Sequence, residues 1–169
     1  VTFQDIKDFL EANHPDLRFS YPLSPPWTSI LANALLQGLA NLSFRGGTMD
    51  QWVNAMEVVL PTGELLALGG KRVKDVTGYD LIRLLVGSEG TLGIFIKIIL
   101  RLIPKPAATA VLLIPFKDVA AAVGAYPRVF SEAGILPAGI EFMDRLSVET
   151  VYGFLGEAPL SGYRGHAAC

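Results

Sequence analysis

Hydrophobic and polar positions divide the chain into segments of distinct period. Phe3, Ile6, Phe9 and Leu10 recur at the spacing of one helix face, behind a Thr2 to Asp5 pair with capping-box spacing. A short amphipathic helix ending before Pro15 is predicted. Arg18–Tyr21 reads as a short strand, and Pro22-Leu23-Ser24-Pro25-Pro26 as an extended loop. Ile30–Leu42 is apolar and rich in Ala and Leu, which predicts a buried helix with Gly38 inside it. Val53–Leu60, the turn Pro61–Glu64 and Leu65–Leu68 read as a hairpin. Thr77–Asp80 is a second capping-box pattern, and Leu81 to Val86 supply the apolar side of a short helix with Gly87 as its C′ residue. Ile94–Ile103 alternates with period two. Ile94, Ile96, Ile98, Leu100 and Leu102 share one face, and Lys97 and Arg101 lie on the other.

Pro104-Lys105-Pro106 reads as a linker. Beyond it come a strand (Ala110–Ile114), a helix (Asp118–Ala133, bent or interrupted at Pro127), a strand (Ala138–Met143) and a helix (Arg145–Phe154). A β-α-β-α run of this kind opens a ferredoxin-like or similar α+β unit. Residues 156–169 read as a frayed tail.

Composition narrows the class. At 169 residues, 51% hydrophobic and 18% charged, the chain has ample apolar area for a core and is not an intrinsically disordered sequence. The apolar stretch Pro106–Phe116 contains two prolines and a threonine, and a membrane-spanning helix needs about 20 apolar residues, so no transmembrane segment is expected. Asp5, Lys7, Asp8 and Glu11 interrupt the N-terminus, which does not read as a signal peptide. The one cysteine is Cys169, so no intrachain disulfide is expected. With His14 and His166 the only histidines, no metal site is expected either. The same scarcity leaves no Ser-His-Asp or Cys-His pair, and the catalytic residues are unassigned.

Net charge is −2 but uneven: residues 71–105 carry seven basic and three acidic groups. That excess is too small for nucleic-acid binding and would suit a single anionic group such as a pyrophosphate, although a solvated basic loop at Lys71, Arg72 and Lys74 explains it as well. Asp80 reads as a helix cap. Trp27 and Trp52 read as packing residues, with Trp27, beside Pro26, also placed to line a cleft. Gly87-Ser88-Glu89-Gly90-Thr91-Leu92-Gly93 is the most informative segment. Glycine at every third position lets backbone N–H groups approach a ligand without Cβ obstruction. It is neither a Walker A loop nor the Rossmann fingerprint, since no Gly-Lys-Ser/Thr follows and the order is helix-loop-strand. On its own such a connection is more often a tight turn than a binding site. Glu89 is its one charge, either solvated or an acceptor for a ligand hydroxyl or amine.

Three runs carry a family resemblance. They are Glu57–Glu64 (EVVLPTGE), Val73–Leu81 (VKDVTGYDL) and Leu85–Ile94 (LVGSEGTLGI), supported by Ile140–Leu146 (IEFMDRL). Together they resemble the FAD-linked oxidases of the vanillyl-alcohol-oxidase (PCMH) type, most of all the FAD-binding subunits of glycolate oxidase and the D-lactate dehydrogenases. The resemblance implies an α+β chain with three parts. Residues 1–104 would be the second subdomain of a PCMH-type FAD-binding domain, 107–155 the start of a ferredoxin-like cap, and 156–169 a tail. It implies FAD as cofactor, with Pro22, Leu23, Ser24 and Thr28, then Gln37 and Gly38, then Glu89, Gly90, Thr91, Leu92, Gly93 and Ile94 contacting it, and Leu36 beside them.

The implied function is that of an FAD-binding subunit or fragment of a flavin-dependent 2-hydroxy-acid oxidase or dehydrogenase. Hydride would pass to FAD in the intact enzyme, and the chain alone would be incomplete. The implied partners are FAD, a small 2-hydroxy acid, and other oxidase subunits or further copies of the chain. The implied location is cytoplasmic, or peripheral to the inner membrane through partner subunits. The alternative is a non-catalytic scaffold subunit of a glycolate-oxidase-like complex, favoured by Leu31-Ala32 where the family usually has a glycine pair.

Overall fold

The structure, a computed structural model, describes residues 1–19, 25–38, 43–72, 74–156 and 167–168. It mixes helices with small antiparallel sheets and divides into two compact units, 1–107 and 108–169.

The first unit opens with α1 (Phe3–Asn13), whose capping box forms as its spacing predicts: Asp5 N–H donates to Thr2 Oγ1 and Thr2 N–H to Asp5 Oδ2. β1 (Leu17–Arg18) pairs with β5 (Ile103–Pro104), so the predicted strand from Arg18 is shorter, and Ser20 and Tyr21 lie outside the described residues. α2 spans Ile30–Leu35. It ends well before Leu42 because the chain turns left-handed at Gln37 (φ 46°). Gly38 N–H then donates to Asn33 O and Gln37 N–H to Ala34 O, at 2.9 and 3.2 Å. That bond pair is a Schellman closure, with glutamine where glycine is usual. Residues 39–42 lie outside the described residues. α3 (Ser43–Gly46) and a 3₁₀ turn (Met49–Trp52) lead into β2 (Val53–Val59).

β2 is the centre of a three-stranded antiparallel sheet, between β3 (Leu65–Gly69) and β4 (Ile94–Leu100). The hairpin forms as the sequence predicts: Gly63 at φ 85° closes it through its N–H to Leu60 O, 2.8 Å. β4 departs from its predicted alternation. Glu57 faces Lys97 and Val58 faces Phe95, so Ile96 is an extra residue, a β-bulge. Parity reverses there. Phe95 is buried, Ile98 and Leu100 pack on the core, and Ile94 and Ile96 are 68% and 51% exposed. The core lies where α2 and α4 (Leu81–Leu85) cover this sheet, around Met49, Trp52, Met56, Val58 and Phe95. Each such side chain contributes about 1.5–3 kcal/mol on burial. Trp52 meets the Phe19 ring edge-on at 5.8 Å, whereas Trp27 is exposed rather than packed.

In the second unit, neither 110–114 nor 138–143 is a strand, contrary to their apolar pattern. Strands persist by pairing, and among the described residues the only ladder here joins β6 (Pro115–Phe116) to β7 (Ala167–Ala168). The helices do form. α5 (Val119–Ser131) runs through Pro127 without a break, and α6 (Arg145–Leu155) ends at Gly156 (φ 68°). Of the predicted β-α-β-α run, the two helices form and the two strands do not.

Candidate functional site

The glycine loop follows directly on α4. Asp80 caps that helix, its Oδ1 accepting from Arg83 N–H at 3.1 Å. Gly87 then turns left-handed (φ 83°) as its predicted C′ position requires, followed by Glu89 (φ 52°) and Gly90 (φ 77°). Two backbone bonds fasten this loop to α2. Gly87 N–H donates to Ala34 O and Glu89 N–H to Leu35 O, each at 3.0 Å. Segments some fifty residues apart in sequence are thus side by side: Gln37 and Gly38 on one edge, Glu89–Ile94 on the other. A Cβ on Gly87 would stand 2.8 Å from the movable end of the Gln37 side chain, but the left-handed backbone at φ 83° is what favours glycine there. Gly93 is buried, and a Cβ there would meet Val58 Cγ1 at 2.5 Å.

The other predicted residues are placed differently. Thr28 lies beside the start of α1, its carbonyl accepting from Phe3 N–H at 3.2 Å, and among the described residues no hydrogen bond ties it to the loop. Pro22, Leu23 and Ser24 lie outside the described residues. In the basic run, Arg72 pairs with Asp75 at 2.8 Å and reaches Gly69 O, which leaves Lys71 and Lys74 as its solvated charges. Sequence reasoning missed Asp50 and Arg83, which carry no motif and become notable only through contact.

The loop fits a polar, anionic cofactor in part. Among the described residues, the N–H groups of Gly87, Ser88, Glu89 and Thr91 all donate to protein carbonyls. The expectation that the loop's amides as a row would face a ligand is therefore narrowed: among the described residues the amides of Gly90, Leu92 and Gly93 have no protein acceptor, and of these only Gly90 and Leu92 belong to exposed residues. Gly90 is exposed, and a Cβ there would meet nothing within 4 Å. Thr91 Oγ1 donates to Ser88 O at 2.6 Å, leaving its lone pairs as acceptors. The Glu89 carboxylate is exposed. Ser88 Oγ is buried without a hydrogen-bond partner, a polar atom that awaits one. The exposed groups are thus two amide donors, with a hydroxyl oxygen and one carboxylate as acceptors. They suit a cofactor with both phosphate and hydroxyl groups better than a bare anion, which Glu89 would repel.

Comparison with known proteins gives this arrangement its context. Residues 105–168 match the family described as FAD linked oxidases, C-terminal domain. The chain is 44% identical over 108 residues to glycolate oxidase subunit GlcD of Bacillus subtilis, covering 64% of this chain and 22% of that protein. It is 39% identical over 111 residues to the D-lactate dehydrogenase of Anaerostipes hadrus, covering 66% and 23%. Over 154 residues it is 35% identical to the mitochondrial D-lactate dehydrogenase [cytochrome] of Arabidopsis thaliana, covering 89% and 26%. The chain therefore spans about a quarter or less of these relatives. In fold it matches an alkyldihydroxyacetonephosphate synthase with TM-score 0.75 over 90% of this chain and 29% of that one, at 20% identity. No helix among the described residues is long and apolar enough to cross a membrane. The chain is related to the FAD-linked oxidases, and its residues 105–168 match their C-terminal domain.

Proposed function

We propose that this chain forms one wall of an FAD site in a flavin-dependent 2-hydroxy-acid oxidase or dehydrogenase of the glycolate or D-lactate type. The observation that carries the reading is the pair of backbone bonds from Gly87 and Glu89 to α2. Those bonds gather Gln37, Gly38 and the Glu89–Ile94 run, which the family resemblance assigns to FAD, onto one surface. When bound, FAD supplies a two-electron acceptor for hydride leaving the α-carbon of a 2-hydroxy acid. The residues of this chain bind and orient. The Gly90 and Leu92 amides would hold the phosphate-bearing part, Glu89 would accept from hydroxyl or amine hydrogens, and Ile94 and Leu92 would offer apolar contact.

In this reading residues 1–104 are a second FAD subdomain and 107–155 the start of a cap, and other oxidase subunits or further copies complete the enzyme. The soluble compartment or the membrane periphery would follow from those partners.

Flavin fluorescence tests the reading. Titration of FAD with the purified chain is expected to quench the fluorescence with weak affinity, and Gly90→Val, which fills the open approach, is expected to weaken it about tenfold. No quenching at any concentration would refute the FAD site. A chain that purifies with one FAD per molecule and oxidises glycolate or D-lactate unaided would refute the single-wall reading.

A further inference from the structure

Beside the glycine loop lies a cluster of polar side chains that includes Gln37, with a carboxylate at its centre, Asp50, that the proposed ligand contacts do not use. Asp50 belongs to the 3₁₀ turn that precedes β2, and its side chain is 9% exposed. Its Oδ1 accepts from the Thr48 hydroxyl and from Gln37 Nε2, the latter at 3.4 Å. Its Oδ2 lies 3.3 Å from Arg83 Nε, and the same Nε is 3.4 Å from Asp80 Oδ2. Three segments distant in sequence therefore meet on one carboxylate: the left-handed turn after α2, the start of the 3₁₀ turn, and α4.

The two outer segments support the loop. Its N-terminal end grows out of α4, and its Gly87 and Glu89 amides hang from the last carbonyls of α2. Asp50 holds α4 through Arg83 and the α2 turn through Gln37, and Gln37 in turn lies against Gly87. A carboxylate this far withdrawn from water is costly unless charged and polar donors surround it, which is the arrangement here. From this geometry we infer that Asp50 is a positioning residue, a clamp that sets the glycine loop against α2 and so fixes the spacing between Gln37–Gly38 and Glu89–Ile94. It touches no ligand and acts through Gln37 and Arg83. The inference rests on the FAD reading for what the loop binds, but not for how the loop is held.

Asparagine at position 50 keeps the size and removes the charge. One of the two carboxylate oxygens becomes an NH2 donor, which would face either Arg83 or the Thr48 and Gln37 donors, so the acceptors on both sides cannot both be kept. Amide hydrogen exchange on the full chain reads the result. In Asp50→Asn the Gly87 and Glu89 amides are expected to exchange at least about tenfold faster, while Met56 and Val58 in β2 keep their wild-type rates. Unchanged protection at Gly87 and Glu89 in the folded variant overturns the clamp. Should Asp50→Asn lose β2 protection as well, Arg83→Gln decides, since Arg83 is 61% exposed and its removal leaves the core intact. The same two amides should then exchange faster, and unchanged rates overturn the inference.

FAD titration of the same proteins is a separate readout. Affinity about tenfold lower in Asp50→Asn supports the positioning role, and unchanged affinity with faster exchange overturns it. If the wild-type chain binds no FAD, the functional reading fails, and the clamp is judged by exchange alone.

Discussion

Two residues mark the candidate site at the smallest scale. Gln37 and Glu89 are the non-glycine residues with positive φ among those described, and they stand on opposite sides of the same seam. A left-handed L-residue costs about 1–2 kcal/mol, so each is held there by its surroundings. The glycines at 87 and 90 were legible because their spacing announces a loop of unusual backbone freedom. Gln37 was not, because a glutamine in a Schellman turn looks like the continuation of a helix, and Ile30–Leu42 was read as one. Gly93 owes its identity to packing instead: a Cβ would lie 2.5 Å from Val58 Cγ1 and 2.9 Å from Val59 O. Gly93→Ala is expected to destabilise the first unit by about 1–3 kcal/mol, read as a lower thermal midpoint. An unchanged midpoint would assign Gly93 to ligand approach alone.

Elements were legible where a local signal sets them and obscure where a neighbour does. The hairpin, α1 and α6 follow from turn residues, caps and helical spacing. The face of β4 does not, because one inserted residue at Ile96 reverses every side chain before it, and only the partner strand reveals the insertion. The strands read at 110–114 and 138–143 fail for the same reason, since an apolar run makes a strand only where a ladder is available. Caps also carry a pH signature. Asp144 caps α6, and the hydroxyl and backbone N–H of Ser147 hold its carboxyl below the ordinary 3.8. With the folded value lowered, the cap's contribution is complete above 3.8 and is lost as pH falls through the lowered value. The α6 carbon chemical shifts should therefore move toward coil between about pH 5 and pH 2, and Asp144→Ala should show reduced helicity that no longer follows the carboxyl. Acid-independent α6 shifts in the wild type would contradict this.

For the whole molecule the question is which unit carries the site and its stability. The buried cluster around Met56 and Val58 lies wholly within residues 1–107, as do all twelve residues assigned to FAD. The second unit buries Ala122 and Val148 among its described residues, and leaves Val111, Leu112, Leu146 and Phe154 exposed. A unit of that size with so little buried area lies near the limit at which a chain folds unaided. The two units should therefore separate in behaviour. Residues 1–107 expressed alone are expected to unfold cooperatively, with the midpoint of the full chain's main transition and the same FAD affinity. Residues 108–169 alone should show helical signal without a cooperative transition. Should the 1–107 fragment be unfolded, the core identified here is not self-sufficient. Should it fold but lose FAD binding, the second unit contributes contacts that the surface built on α2 and the glycine loop does not supply.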